Sequence, residues 1–393
     1  MPDPMTPTAL FVTEPAFLDL SRAGGVQRCT LEYAALLEAA GFRVEPHPVA
    51  ATRALGPRLR ARAGIGAYDL YSPDLAAGVL RSVDRTGATL VALNQVYLLP
   101  AAREIRRLRP DLRLVVLSHG NESGDFLHEA LRTDRASWQR ARDQVRLGRM
   151  VAEEARGFQD VDAVLCLSET ERQINLWLGA AAAVVVPRTW VPGFLDWAPV
   201  TGRVGFVGAL DHLPNVEGIG QVLDALARMD ASGVDTSGVE VRIVGGGGDG
   251  ARLAERFAGA TYLGRLSDAE LEAEARTWAL FLNPVWWYAR GASTKLAQAI
   301  AWGLPVATSV PGMRGYEWSD GDLLVTETPD AVAAAAVAVT ADPSRAEAVA
   351  AAVRRVAQSG PTLADVADRV RPVLSSRSGS PAVRLRWPGA DPR

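Results

Sequence analysis

The stretch at residues 281–308 constrains the fold more than any other part of the chain. It reads FLNPVWWYARGASTKLAQAIAWGLPVAT. An apolar run ending at Leu282 predicts a strand, which stops at Pro284 because proline cannot donate to a sheet ladder. A helix follows, and Gly303 and Pro305 predict its end, since glycine adopts the left-handed cap and proline cannot continue the helix. The stretch therefore predicts a strand, a loop, a helix and a second strand.

The start of this predicted helix is suited to binding an anion. The first N–H groups of a helix lack partners, and the positive end of its dipole points outward. Ser293 and Thr294 add hydroxyl groups, and Lys295 adds a charge. Lys295 is the only lysine among 42 basic residues. Chance is one explanation, and a need for a compact ammonium in place of a planar guanidinium is the other. Phosphate contact is the slightly favoured interpretation.

The same stretch resembles the donor-binding signature of GT-B glycosyltransferases of the large retaining, family-4 type. That signature has a Gly/Ser-rich loop, a basic residue, an acidic helix position and Gly-x-Pro before a strand. Two positions depart from it. Gln298 stands where the family usually has a glutamate, and Arg290 stands where it often has another. The resemblance implies that Arg290, Ser293, Thr294, Lys295 and Gln298 bind a nucleotide-sugar donor, with Lys295 also catalytic.

Length and composition agree with a folded protein of two domains. A chain of 393 residues exceeds one ordinary core, and 48% hydrophobic and 22% charged residues are typical of globular proteins. A net charge of −3 argues against a nucleic-acid binder. Cys29 and Cys166 lie far apart and predict reduced thiols in a cytosolic protein. Neither a signal peptide nor a membrane-spanning run is visible.

Short apolar runs alternate with helical stretches through the first half, which predicts a parallel doubly wound sheet. These runs are Ala9–Thr13, Arg43–Val49, Tyr68–Tyr71, Thr89–Leu93 and Arg113–Ser118. With the resemblance, the expected α/β architecture is GT-B, in which two Rossmann-like domains face a cleft. The expected parts are an acceptor domain at 1–187, a linker at 188–201, a donor domain at 202–360, a closing helix at 361–374 and a disordered tail at 375–393.

Two places in the first half are candidate sites. Gly24 and Gly25 follow the first strand and resemble the family's Gly-Gly loop near the donor, although a tight turn explains them as well. His119 follows a predicted strand, where the carboxyl edge of a parallel sheet binds ligands. The resemblance implies that His119 contacts the transferred sugar, with Asn121 and Glu122 as further candidates. A loop that caps the next helix is the alternative.

The second half holds weaker candidates. Many relatives clamp the donor diphosphate with an arginine and a lysine in the first loop of this domain, but this loop has neither, and Asn215 reads as an ordinary turn residue. The glycines at 245–250 fit ligand contact and a flexible turn equally well. The resemblance implies nucleobase contact near Arg265 and Leu266. Trp286 and Tyr288 suit stacking on a sugar, or filling of a core.

The predicted activity is metal-independent transfer of a sugar, with retention, to a saccharide, lipid-linked or small-molecule acceptor. The nucleotide-sugar is a substrate, and neither a cofactor nor a metal is expected. A silent GT-B-like subunit and a nucleotide-sugar epimerase are the alternatives. The expected location is the cytoplasm. Arginine-rich segments at Arg53–Arg62 and Arg103–Arg109 leave peripheral membrane contact open, with a solvated helix face preferred. The oligomeric state stays open.

Overall fold

A computed structural model describes residues 6–19, 25–50, 52, 54–62, 68, 71, 74–316 and 323–375. Contacts divide them into two units. The first unit holds the described residues up to Pro187 and those from Thr362 onward, and the second holds Arg188–Pro361. The predicted strand at Tyr68–Tyr71 lies in part outside the described residues, as do Gly24 and the predicted tail beyond Ser375.

The first unit contains a parallel sheet of six strands in the order β2-β1-β3-β4-β5-β6. The central strands are buried on both faces, which explains their continuous apolar sequences. The strands are β1 (Thr8–Thr13), β2 (Arg43–Pro48), β3 (Leu90–Asn94), β4 (Arg113–Leu117), β5 (Ala163–Cys166) and β6 (Ala183–Val185). The chain runs from β1 to β2 and then back to β3 on the other side of β1. The switch point, where such sheets bind ligands, therefore lies between β1 and β3.

Eight helices among the described residues belong to this unit. They are α1 (Gly25–Ala39), α2 (Leu55–Arg62), α3 (Leu75–Thr86), α4 (Leu99–Leu108), α5 (Glu122–Arg132), α6 (Ser137–Phe158), α7 (Glu169–Trp177) and, from the end of the chain, α14 (Leu363–Ser375). Helix α14 packs on α1. Arg371 donates to the carbonyl of Ala40 at 3.1 Å, and Arg113 of β4 donates to the carbonyl of Val373 at 3.0 Å.

The second unit contains a parallel sheet of six strands in the order β12-β11-β10-β7-β8-β9. Numbered within the unit, this is the order 6-5-4-1-2-3 of dinucleotide-binding folds, whose switch point lies between the first and fourth strands, here β7 and β10. The strands are β7 (Val200–Val207), β8 (Glu240–Val244), β9 (Ala260–Gly264), β10 (Trp278–Asn283), β11 (Val306–Ser309) and β12 (Leu324–Thr326). The helices are α8 (Leu213–Ala231), α9 (Gly250–Ala254), α10 (Asp268–Ala275), α11 (Thr294–Ala301), α12 (Pro329–Ala341) and α13 (Pro343–Ser359). The predicted fold of two Rossmann-like sheets is confirmed.

Residues 188–201, predicted as a linker, pack as part of the second unit. Trp190 donates its indole N–H to the carbonyl of Ala357 at 3.0 Å, and Trp197 donates to the carbonyl of Trp278 at 2.7 Å. Leu195 is buried, and Val200 already belongs to β7. The two tryptophans and Leu195 cover apolar surface of the unit, so the segment is fixed in spite of its prolines.

The arginine-rich helix α4 has acidic partners within its own unit. Arg106 lies 2.7 Å from Asp162, and Arg109 lies 2.9 Å from Asp111. Paired arginines of this kind form an ordinary solvated helix face and have less charge to offer an anionic surface. Among the helices of the described residues, none is both long enough and apolar enough to cross a membrane.

Candidate functional site

Helix α11 begins at the carboxyl edge of the second sheet, next to the switch point. Ser293 is the N-cap residue, yet its side chain makes no capping hydrogen bond to the helix. Ser293 therefore does not cap the first N–H groups of α11, and the helix dipole adds partial positive charge at this end. Gly291 adopts φ 71°, a left-handed conformation that glycine allows without strain, and this turn sets the direction of the helix.

Lys295, in the first turn of α11, directs its ammonium group toward the switch point. The Nζ atom donates to Oδ1 of Asn215 and lies 5.0 Å from the ring centroid of Phe206, which is buried in β7. Burial lowers the pKa of Lys295 to about 7, and the positive charge of Arg314 contributes to the shift. No carboxylate among the described residues lies within ion-pair distance of this amine. An anionic ligand would restore the charged form of Lys295.

Asn215 is a site residue that the sequence analysis missed. It lies in the first turn of α8, directly after the loop that follows β7, and is buried. Its Nδ2 donates to the carbonyl of Ala209 at 2.9 Å, which leaves Oδ1 directed at Lys295. Asn215 and Lys295 therefore span the switch point between β7 and β10. Nothing in a Pro-Asn pair at a helix start distinguishes this role from an ordinary turn.

The two hydroxyl residues at the start of α11 differ in position. Ser293 is buried, and its Oγ donates to Oδ1 of Asn283 at 3.3 Å. Its carbonyl accepts from the hydroxyl of Tyr316 at 2.5 Å. Thr294 is only half-buried and is the first residue of the helix. Ser293 therefore holds the loop in place, while the hydroxyl of Thr294 is the better placed to meet a ligand.

The two positions at which the resemblance leads us to expect acids lie on α11 and in the loop before it. Gln298 follows Lys295 by three residues on α11, so the two share a helix face. Arg290 is half-buried, and its carbonyl accepts from Nε of Arg314 at 3.4 Å. Arg314 is a second residue that the sequence analysis missed. Its charge adds to that of Lys295, so this part of the second unit is cationic.

The Gly-rich segment after β8 packs its backbone against the loop after β7. A Cβ at Gly245 would lie 1.8 Å from the carbonyl oxygen of Gly208, and one at Gly247 would lie 2.5 Å from the carbonyl carbon of Leu210. A Cβ at Gly246 or Gly248 would meet nothing within 4 Å. Two of the glycines are therefore required by packing, whereas Gly246 and Gly248 leave space for a ligand.

The remaining candidates of the second unit are spread over its surface and core. Arg265 is exposed, and Leu266 packs against the core beside β9. Trp286 packs on the other face of the sheet and donates its indole N–H to the carbonyl of Gly218 at 3.2 Å. Tyr288 is half-buried. Trp286 therefore has a clear packing role, while Arg265 and Tyr288 are accessible.

In the first unit, His119 lies just beyond β4 and is almost fully buried. Its Nε2 lies 2.8 Å from Oδ1 of Asn94, and the Nδ2 of Asn94 donates to Thr13 at 2.8 Å and to Thr30 at 3.0 Å. Because the amide nitrogen donates to two hydroxyls, Asn94 accepts from His119, and Nε2 carries a proton. Thr13 and Asn94 end β1 and β3, so His119 is fixed to the switch point of the first sheet.

Asn121 and Glu122, predicted to contact the acceptor or sugar, are both buried and bonded within the unit. Asn121 caps α5 by accepting from the N–H of Gly124 at 2.6 Å. Its Nδ2 donates to Glu154 of α6 at 3.2 Å, and Glu122 accepts from the hydroxyl of Tyr97 at 2.7 Å. Both side chains are therefore enclosed. The alternative of a helix-capping loop describes Asn121 well.

Of the predicted Gly-Gly loop, Gly24 lies outside the described residues, and Gly25 is the exposed first residue of α1. Lys295 lies in the second unit and His119 in the first. Among the described residues, no group of three or more His, Cys, Asp and Glu side chains has an arrangement suited to a metal ion.

Residues 201–342 match the family model described as glycosyl transferases group 1. No curated protein matches the chain. Among solved structures, sucrose-phosphate synthase from Thermosynechococcus elongatus is similar over 93% of this chain and 97% of its own, with 16% identity and a TM-score of 0.63.

Two further structures carry bound ligands. An E. coli structure described as trehalose-6-phosphate bound with UDP-2-fluoro glucose matches 94% of this chain and 99% of its own, with 14% identity and a TM-score of 0.58. A TarM mutant from S. aureus in complex with fondaparinux, alpha-GlcNAc-glycerol and UDP matches 77% of this chain and 59% of its own, with 9% identity and a TM-score of 0.55.

These identities establish a shared fold. The two parallel six-stranded sheets of this chain agree with that fold. The family match falls on the unit that carries Lys295 and Asn215. The chain has the GT-B fold, and its match to the glycosyl transferases group 1 falls within the second unit.

Proposed function

We propose that this protein transfers a sugar from a nucleotide-sugar donor to a saccharide, lipid-linked or small-molecule acceptor, with retention and without a metal ion. The observation that carries this proposal is Lys295. Its amine lies at the switch point of a sheet with the dinucleotide-binding strand order, in the first turn of a helix that Ser293 does not cap, and has no carboxylate partner among the described residues.

The cationic groups of this edge suit the leaving diphosphate. Negative charge grows on the diphosphate as the bond to the sugar breaks, and fixed positive groups that face this charge lower the barrier. Lys295 supplies the charge, the N–H groups of α11 supply oriented donors, and Thr294 supplies a hydroxyl. Arg314 adds to the same field. Asn215 holds the amine of Lys295 in position, so little reorganisation is needed when the donor binds.

UDP-sugars are the proposed donor class. The names of two similar structures include UDP or a UDP-sugar, and both proteins share the GT-B fold with this chain. Gln298 offers an amide that bonds ribose hydroxyls without a charge. Arg290 offers a guanidinium that suits a phosphate oxygen pair, in place of the carboxylate usual at this position.

Thermal unfolding with UDP, ADP and GDP tests donor binding. At a nucleotide concentration of about 100 times Kd, we expect about 2.7 kcal/mol of stabilisation for the matching nucleotide. Lys295→Met keeps the length of the side chain and removes its charge, so most of the stabilisation should disappear. Arg252→Met on α9 is the matched control, since this arginine is 79% exposed. Equal shifts for the wild type and Lys295→Met would contradict the proposal.

A protein that binds a nucleotide-sugar without turnover is the second candidate. It is favoured by the replacement of both usual glutamates by Arg290 and Gln298. Release of UDP from a UDP-sugar separates the two candidates, because a silent binder is stabilised by UDP and releases none. If turnover is found, the anomeric configuration of the product by NMR tests retention, and a changed sugar without transfer would indicate an epimerase.

A further inference from the structure

We propose that residues 382–387 pair with the outer edge of β6 and extend the first sheet by one strand. Their sequence is AVRLRW, and they lie beyond Ser375, where the described part of the chain ends. The edge that receives them belongs to the described part. This pairing does not depend on the proposed activity, because neither partner carries a residue of the donor site.

The outer edge of β6 has backbone groups without partners. Ala182 accepts from β5 at 2.9 Å, and Val186 donates to β5 at 2.8 Å. Alternate residues of a strand face the same neighbour, so Ala183 and Val185 direct their N–H and C=O groups away from β5. Among the described residues, nothing pairs with these outward groups. Such an edge favours pairing with a further strand.

The opposite edge of the same sheet is protected against a further strand. In β2, the N–H groups of Arg43 and of Val49, directly after the strand, donate to carbonyls on the β1 side at 2.8 and 2.9 Å. By the same alternation, Pro46 and Pro48 occupy outward positions, where they have no N–H to donate. Strand β6 reads AVV and has neither a proline nor a charge, the usual protection of an edge. Of the two edges, β6 is therefore the one that can accept a strand.

Residues 382–387 have the sequence pattern of an edge strand. Val383, Leu385 and Trp387 alternate with two arginines, so a strand would have one apolar face and one charged face. A proline precedes the run and a Pro-Gly pair follows it, which is typical of the two ends of a strand. The composition of residues 375–393 as a whole predicts disorder, and this run is the exception within it.

The described end of the chain lies within reach of β6. The carbonyl of Val373 on α14 accepts from Arg113, the first residue of β4, at 3.0 Å. In the sheet, β6 lies two strands from β4, so a strand beyond β6 would lie about 15 Å from β4. Residues 376–381, when extended, span about 20 Å. The connection is therefore long enough without a change in the described fold.

The point of entry also sets the direction of the added strand. Because Arg113 begins β4, α14 ends near the side of the sheet at which its parallel strands begin. A strand that enters there runs parallel to β6. Helix α7, which packs on β6, ends on this side with Trp177, whose side chain is 73% exposed. The apolar face of the added strand would cover part of this indole, and burial of apolar surface stabilises the pairing.

Amide hydrogen exchange measured by mass spectrometry tests the pairing in the full chain. The comparison is a chain that ends at Ser375 and keeps every described residue from Ser137 onward in the first unit. In the full chain, we expect the amides of Ala183 and Val185 to exchange about 100-fold more slowly than in the shorter chain. Peptides that cover 181–187 report this difference.

Two adjacent substitutions in the full chain supply a matched pair. Alternate residues direct their N–H groups to the same side, so only one of Arg384→Pro and Leu385→Pro removes a bond to β6. That variant should show the fast exchange of the shorter chain, while the other should stay within about threefold of wild type. Neither changes a described residue, and thermal unfolding confirms that both are folded.

Three results would overturn the proposal. The first is equal exchange of peptide 181–187 in the full chain and in the chain that ends at Ser375. The second is the same exchange in both proline variants, whether slow or fast, because paired strands must alternate. The third is slow exchange that survives both prolines and is lost on dilution of the protein, which would assign the β6 edge to a second copy of the chain.

Discussion

The two units bury opposite charges at the carboxyl edges of their sheets. In the first unit, the fully buried Glu154 accepts hydrogen bonds from Tyr68, Asn121 and Ser123. In the second unit, the side chain of Lys295 has one hydrogen-bond partner among the described residues, the neutral amide of Asn215, and a neighbouring charge of the same sign on Arg314. Among the described residues neither group has a counter-charge, and burial raises the pKa of Glu154. The difference is that the carboxyl group of Glu154 has four donors, whereas the ammonium of Lys295 has one acceptor.

This contrast distinguishes a buried ionisable residue that stabilises the fold from one that is suited to binding a ligand. A buried carboxylate with several donors stabilises the loops that supply them, because each donor loses its partner if the carboxylate is removed. A buried ammonium near a second cation makes the folded protein less stable in the charged form, so it needs a different explanation, and an anionic ligand provides one. If burial of an ionisable residue were the only criterion, the two edges would be equally good candidates for a ligand site.

The largest expected effect tests the hydrogen bonds to Glu154 in the first unit. Glu154→Leu removes the shared acceptor of Tyr68, Asn121 and Ser123, and we expect a loss of about 3–5 kcal/mol in the free energy of unfolding by urea, since each buried donor left unpaired costs about 1–3 kcal/mol. Glu154→Gln keeps one acceptor oxygen and should lose less. If Glu154→Leu were as stable as wild type, the network would not be what holds this edge together.

The next effect tests how the second edge keeps its shape. Gly245→Ala places a methyl group 1.8 Å from the carbonyl oxygen of Gly208, at φ +151°, and we expect a loss of about 2–3 kcal/mol. Gly246→Ala meets nothing within 4 Å and is the matched control, with a change in stability within about 0.5 kcal/mol. Nucleotide affinity of the folded Gly246→Ala variant then reports whether a ligand uses this space.

A smaller effect tests Asn215 as a positioning residue. Asn215→Leu removes the acceptor of Lys295 and places an apolar side chain beside its amine, which lowers the pKa further, and we expect about tenfold weaker UDP binding by calorimetry. Asn215→Asp gives Lys295 an ion-pair partner, which should raise the pKa of Lys295. UDP binding should still weaken, because the positive charge of the amine is already paired with the new carboxylate. Tighter UDP binding by Asn215→Asp would contradict an anion site at Lys295.

The smallest effect concerns pH. The pKa of Lys295 is lowered to about 7, so its charged form is lost as pH rises through this value, and an anion binds the charged form. We expect UDP affinity to fall about fivefold between pH 6.5 and pH 8. UDP itself keeps its charge better at the higher pH, so Lys295→Met provides the reference. If both proteins showed the same fall, Lys295 would not be its source.

The sequence predicted the fold better than it predicted the site. Apolar runs and the stretch at residues 281–308 were sufficient for the sheets, because parallel strands buried on both faces have a recognisable composition. The start of α11 was also predictable from Ser293 to Lys295. The partner of Lys295 was not, since Asn215 is 80 residues away and looks like a turn.

The first unit shows the other limit of sequence reasoning. Glu154 lies within a long charged helix, where nothing in the sequence tells a buried carboxylate from a solvated one. Asn121 and Glu122 were predicted as contacts and proved to be enclosed, because hydrogen bonds to Glu154 and Tyr97 turn them inward. Only the folded chain shows which polar residues face one another.

The packing of α14 on α1 has a consequence for how the protein is made. The second unit is an insertion into the first, since the chain leaves the first unit after Pro187 and returns to it at Thr362. During synthesis, every residue of the second unit is therefore available for folding before α14 emerges from the ribosome. The unit that is begun first is completed last, and a chain that stops at Pro361 would leave α1 without the helix that covers it.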